Sequence, residues 1–248
     1  MLRLFSFILF FLYVTAGVAS EPVTWQRAID RDDAQAIWRL MHDADVKETN
    51  EKGKTALMSA ARLGDHRLYE ALTAKGLSAA DRSFTGGTPL MYAALGNQLL
   101  MIRTIYSQQS DPLYLNAQST NGWTALMIAA AKGFEQTVAL LVELGADPTL
   151  ADAYQWSPLM RAIDNRHDSV VQYLLSLPDI NINATNENGS TALHVAVLKN
   201  DKGTIRQLLQ AGINTSVTDA GGKTAYDIAV NSEFHHLIEM LAAVRADQ

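Results

Sequence analysis

The sequence predicts an all-α solenoid of stacked helix–turn–helix repeats joined by β-turn fingers. Three observations carry this. A Thr or Ser, then a small residue or Pro, then a large apolar residue recurs six times. The instances are Thr55-Ala56-Leu57, Thr88-Pro89-Leu90, Thr124-Ala125-Leu126, Ser157-Pro158-Leu159, Thr191-Ala192-Leu193 and Thr224-Ala225-Tyr226. Successive anchors lie 33, 36, 33, 34 and 33 residues apart, and a fixed period in this range marks a repeat array. Second, small pairs follow five and six residues behind each anchor: Ala60-Ala61, Ala93-Ala94, Ala129-Ala130, Ala162-Ile163, Ala196-Val197 and Ala229-Val230. Third, Gly53, Gly86, Gly122, Gly189 and Gly222 stand two residues before an anchor, and Gly64 and Gly133 stand nine after one.

Each element has a local reason. The anchor hydroxyl can accept from the orphan N–H groups of a first helix. Pro89 and Pro158 occupy the first helical position, where a missing N–H costs nothing. Alanines on one face let neighbouring helices approach closely. The second helix shows apolar residues at helical spacing, as in Val138, Leu141, Val142 and in Val170, Val171, Leu174, Leu175. Gly76, Gly145 and Gly212 fit left-handed caps at its end, and Gly145-Ala146-Asp147-Pro148 reads as a turn into the next repeat.

With these residues in place, the pattern resembles the ankyrin repeat, whose signature is T-P-L-H-x-A, over nearly all of residues 24–248. The resemblance implies an ankyrin-repeat solenoid of about six repeats plus an N-terminal cap. It also implies a surface that binds protein rather than one that catalyses. The departures are specific. The family's His is present only at His194; Met58, Met91, Met127 and Met160 take that slot, and Asp227 takes it in the last repeat. Methionine fills space without donating a hydrogen bond, so the usual Thr–His network is expected to be missing from most of the array. Gln155 and Arg166 replace turn glycines in the fourth repeat. Extra residues fall around Gln108–Leu115 and near Pro178-Asp179-Ile180, in loops.

The expected layout is a signal peptide over 1–20, capping helices over 21–52 and the array over 53–248. Its repeats start near 53, 86, 122, 155, 189 and 222. Met1-Leu2-Arg3, the apolar run from Leu4 to Val14 and the small residues Ala16 to Ser20 form the pattern of a secretory leader cleaved before Glu21. The apolar stretch is short for a spanning helix; an uncleaved anchor would make the chain a membrane-tethered scaffold. Loss of residues 1–20 would change the net charge from −6 to −7. With no cysteine, a lipid anchor, thiol chemistry and Cys-ligated zinc are excluded, and a bacterial periplasm is the expected location. Residues 24–42 read as a terminal helical pair without the Thr anchor, with Trp25, Ala28, Ile29, Ile37, Leu40 and Met41 facing inward. The helix around Leu237, Ile238, Met240 and Leu241 closes the other end.

Catalytic constellations are not evident in the sequence. The six histidines are scattered, and His235-His236 point about 100° apart on a helix, so no metal site and no cofactor are expected. Mild acidity argues against nucleic acid as a partner. A small-molecule substrate is not expected, nor is membrane association after leader cleavage, and a monomer is. The partner is expected to be a protein.

In ankyrin proteins the finger tips and the inner helix face usually make the contacts. The resemblance therefore marks positions four, three and one before each anchor. Here they include Phe84, Trp123, Tyr154 and Trp156, with Tyr92, Ile128 and Arg161 on the inner helices. Trp and Tyr are enriched in interface hot spots. The flanking tips are polar: Glu51, Lys52 and Lys54 on one side, Glu187, Asn188, Ser190 and Lys223 on the other. Replacing Trp123 and Trp156 by Ala is expected to abolish capture with little change in melting temperature. Exported bacterial ankyrin arrays that the chain resembles imply support of oxidative-stress defence beside a catalase, or immunity against a delivered toxin.

Overall fold

The computed structural model of the chain describes residues 23–246, and the expected signal peptide lies outside them. The fold is helical, as the six anchors predict. The N-terminal pair is α1 (Trp25–Asp30) and α2 (Ala34–Leu40). Then come α3 (Ala56–Leu63) with α4 (His66–Ala74), and α5 (Pro89–Leu95) with α6 (Leu99–Gln108). A short extra helix, α7 (Pro112–Leu115), follows. Next are α8 (Ala125–Lys132) with α9 (Glu135–Glu143), α10 (Pro158–Asp164) with α11 (Asp168–Leu175), and α12 (Ala192–Leu198) with α13 (Lys202–Gln210). The last pair is α14 (Ala225–Asn231) with α15 (His235–Ala246). First helices stack on first helices (α3, α5, α8, α10, α12, α14) and second on second (α6, α9, α11, α13), giving two parallel columns.

The anchors act as the sequence requires. Thr55, Thr88, Thr124, Ser157 and Thr224 each accept from the backbone N–H three residues on. Such a cap contributes about 1 kcal/mol. Two residues past the anchor, Leu57, Leu90, Leu126, Leu159 and Leu193 form a buried column. Each is worth roughly 1.5–3 kcal/mol in transfer from water. Between them the alanines at positions such as 60, 93, 129, 162 and 196 are fully buried, which is how two columns of helices come this close.

The N-terminal pair corrects one expectation. It does carry an anchor: the Thr24 hydroxyl accepts from Arg27 N at 3.3 Å and caps α1. The signal was hidden because Trp25-Gln26 replaces the small-then-apolar pair. Asp33 caps α2 as Asp65 caps α4 and Asp201 caps α13. The pair is also tied to the next finger, since Asn50 Nδ2 donates to Asp30 at 2.6 Å.

The fingers are built by a position that the sequence reading passed over. Five residues before each anchor stand Asn50, Ser83, Ser119, Asp152, Asn186 and Asp219. Each accepts from backbone N–H groups across its own turn. Adjacent fingers are then joined by one backbone bond per junction, for example Thr120 N to Thr85 O at 2.9 Å and Ala153 N to Asn121 O at 3.0 Å. The turn needs positive φ two residues before the anchor. Gly122 supplies it (φ 81°), and a Cβ there would come within 2.6 Å of Ala153 N. Gln155 adopts the same conformation with a side chain (φ 60°), at a steric cost of about 1–2 kcal/mol.

The surplus residues of the second repeat form α7, capped by Asp111. Tyr114 folds the insertion onto the preceding repeat by donating to Ala79 O at 2.8 Å. The extra residue of the fourth repeat falls in the turn after α11.

Candidate functional site

Two columns of side chains meet on the inner side of the fingers. One is the residue just before the anchor, the other the residue four after it. In the third and fourth repeats they build a closed cluster. The Arg161 guanidinium lies between two indoles, 5.0 Å from the Trp123 ring centre and 4.7 Å from that of Trp156. Its Nε donates to Asp152 Oδ2 at 3.0 Å, and its Nη2 donates to the same oxygen. The Asp152 carboxylate is fully buried, and its other oxygen accepts from Tyr154 N and Trp156 N. One carboxylate thus fixes both the finger turn and the arginine, and the arginine fixes both rings. Cation–π stacking contributes about 0.5–2 kcal/mol per desolvated pair.

A second feature lies beside it. Tyr92, Leu95, Ile128, Trp123 and Gly87 line a groove of about 310 Å³, with Thr85, Ser119, Thr120 and Asn121 on its polar edge. The groove exists because residue 87 has no side chain. Lys54, Trp123 and Trp156 hold the same finger position in other repeats, whereas a Cβ at Gly87 would press on Tyr92 at 3.3 Å. Burial pushes the Tyr92 hydroxyl above its ordinary range.

Lys54 departs from its expected role as a polar tip. It is buried, donates to Ile29 O at 3.0 Å, pairs with Asp32, and places its ammonium 5.5 Å from the Tyr92 ring centre. Burial lowers its pKa, and Asp32 opposes that shift. The long stem folds inward to one oxygen of Asp32, whose other oxygen accepts from Arg62 Nη1 at 2.9 Å.

The structure divides the predicted site residues by exposure. Phe84 (73%) and Tyr154 (54%) are the aromatics that stand in solvent. Tyr92, Trp123, Ile128, Trp156 and Arg161 are half-buried. Removing both tryptophans would strip the stack from Arg161, so the double substitution is expected to lower stability rather than leave it unchanged. Asp152 was missed in the sequence; its signal was the Asx position at the start of the finger. The inner face also exposes Leu63 and Leu198. Among the described residues no group of three or more His, Asp or Glu is placed to hold a metal ion. None of the described helices is long and apolar enough to cross a membrane.

A family profile for ankyrin repeats matches three times, over residues 25–114, 105–186 and 176–248. The chain belongs to the ankyrin repeat family. It is similar to the mitochondrial disaggregase of Bos taurus, at 31% identity over 83% of this chain and 30% of that protein. It is similar to the ankyrin repeat protein YahD of Escherichia coli K12, at 26% identity over 93% of this chain and all of YahD. Human Rabankyrin-5 matches at 30% identity over 52% of the chain and 11% of its own length. The chain thus spans under a third of the disaggregase and of Rabankyrin-5. Ankyrin repeats are protein–protein interaction modules and are generally non-catalytic.

Proposed function

We propose that this ankyrin array is a non-catalytic docking module of the periplasm that holds a folded protein partner on its inner helix face and finger tips. The observation that carries the reading is the Trp123–Arg161–Trp156 stack pinned by buried Asp152, with Tyr154 exposed on the finger of Trp156 and Phe84 exposed on the finger before that of Trp123. Rings already held in place lose little freedom on binding, so more of their contact energy reaches affinity. The periplasmic location is supported by the leader-like pattern of residues 1–20. The setting proposed with it is oxidative-stress defence, which the resemblance to exported bacterial arrays supports. A catalase gene beside its gene favours that setting, and a toxin gene favours immunity.

The test is affinity capture from a periplasmic extract with three forms of the full chain. Phe84→Ser with Tyr154→Ser keeps the native melting temperature, because both rings are exposed, and loses the partner. Trp123→Ala with Trp156→Ala loses the partner and lowers the melting temperature. Undiminished capture by both variants would sink the docking surface. N-terminal sequencing of the secreted form tests the leader.

A further inference from the structure

The groove beside Trp123 narrows the chemistry of the partner. This step rests on the docking reading. A volume of about 310 Å³ is at the low end of ligand pockets, which span roughly 300–1,000 Å³, and suits one anchoring side chain. Its walls are the apolar faces of Tyr92, Leu95, Ile128 and Trp123. Its floor is reached through the gap at Gly87.

The charge around it runs against the rest of the molecule. The chain has a net charge of −6, yet α3, α5 and α8 contain no Asp or Glu. Their charged residues are Arg62 and Lys132, both exposed. Lys132 is one helical turn beyond Ile128 on the same face. Arg62 lies beside Gly96, next to Leu95, with its carbonyl where a Gly96 Cβ would fall. Lys54 and Arg161 stand over the Tyr92 and Trp123 rings. Lys54 and Arg62 share Asp32, and Arg161 is paired with Asp152, so the excess positive charge beside the groove is one from the Lys54–Arg62–Asp32 group and one at Lys132. The finger tips at Phe84, Thr85, Thr120 and Asn121 are uncharged. Acids sit on second helices and in loops, as at Glu70, Glu135, Glu143, Asp111 and Asp147, and on other first helices at Asp30, Asp164 and Asp227. A net positive rim beside an apolar notch on an acidic protein raises the local concentration of anionic segments and orients them.

We infer that the partner inserts one aromatic or aliphatic side chain, flanked by Asp or Glu, into the groove between Tyr92 and Trp123. The wider finger surface then holds the folded body of the partner.

The experiment titrates the ¹⁵N-labelled chain with three probe peptides, acetyl-Glu-Glu-Phe-Glu-Glu-amide, its Lys-for-Glu counterpart and its Ala-for-Phe counterpart, following the Trp123 indole N–H. The acidic Phe probe is expected to shift that resonance and to bind roughly tenfold tighter than either control, with affinity falling as salt rises. Gly87→Leu fills the notch and removes binding; Lys132→Glu weakens it several-fold. If Gly87→Leu does not fold, exposed Lys132→Glu decides the matter. Equal binding of the Lys probe, or of the Ala probe, overturns the inference. So does silence from all three probes while the Phe84 and Tyr154 variant still loses the whole partner, and in that outcome the docking reading stands. Undiminished capture by both tip variants removes the docking reading itself.

Discussion

Between the third and fourth repeats a guanidinium joins the fingers; between the fifth and sixth an imidazole does. At the first junction Arg161, held by Asp152 of its own finger, stacks on Trp123 of the repeat before it. At the second, His194 Nδ1 accepts from Thr191 N at 3.1 Å, and Nε2 donates to Lys223 O of the next finger at 3.1 Å. The His arrangement is compact and buried. The Arg arrangement leaves two indoles half-exposed on the inner face. Where methionine has taken the His slot, the tie between repeats has moved outward. Arg82 reaches Gln118 O at 3.1 Å, and Gln118 Nε2 reaches Ala151 O at 2.9 Å. The lesson is that one geometric demand, linking a finger to its neighbour, is met by different side chains, and the choice decides which repeats leave aromatic rings half-exposed on the inner face.

Four substitutions break or sharpen this contrast. Asp152→Ala has the largest expected effect. It leaves a half-buried arginine without its carboxylate and two finger N–H groups without an acceptor, so a loss of about 3–5 kcal/mol is expected in urea unfolding. A loss below about 1 kcal/mol would mean that the cluster is ornamental. His194→Met writes the central chemistry into the C-terminal junction. It removes the bond to Lys223 O, and a loss of about 1–3 kcal/mol is expected, localised by faster amide exchange in the last two repeats.

Tyr114→Phe cuts a third kind of tie, from the inserted helix to Ala79 O, at about 1 kcal/mol near neutral pH. It also carries a pH signature. Burial pushes the Tyr114 hydroxyl from its ordinary 10.0 up to about 12. The unfolded chain therefore ionises first. The tyrosine's contribution is intact below pH 10 and is lost as pH rises from 10 to about 12. The Phe variant is expected to show a shallower alkaline decline in equilibrium unfolding. Tyr69, also pushed up by burial, keeps some slope in both proteins. The smallest effect is a gain. Gln155→Gly relieves the left-handed strain of the fourth finger and is expected to raise stability by about 0.5–1 kcal/mol. A gain there, with partner capture unchanged, would show that the strained side chain at 155 serves neither the fold nor the capture.

What the sequence determined by itself was the repeat and its local grammar. Anchors, alanine pairs and turn glycines act within a few residues of themselves, through caps, close helix approach and positive φ, so period and composition are enough to read them. Thr24 escaped only because Trp25-Gln26 blurs the motif. The sequence also marked the seven residues nominated for binding, by their place in the period. What only the tertiary structure decided is how those residues relate. Trp123, Arg161 and Trp156 are brought together across a repeat junction, Asp152 locks them, Gly87 opens the groove, and Lys54 turns inward to Asp32. Those outcomes depend on distances between side chains that the period does not fix, from 9 residues apart for Asp152 and Arg161 and 22 for Lys54 and Asp32 to 38 for Trp123 and Arg161. A period fixes which residues share a column, whereas packing fixes which member of the column points outward.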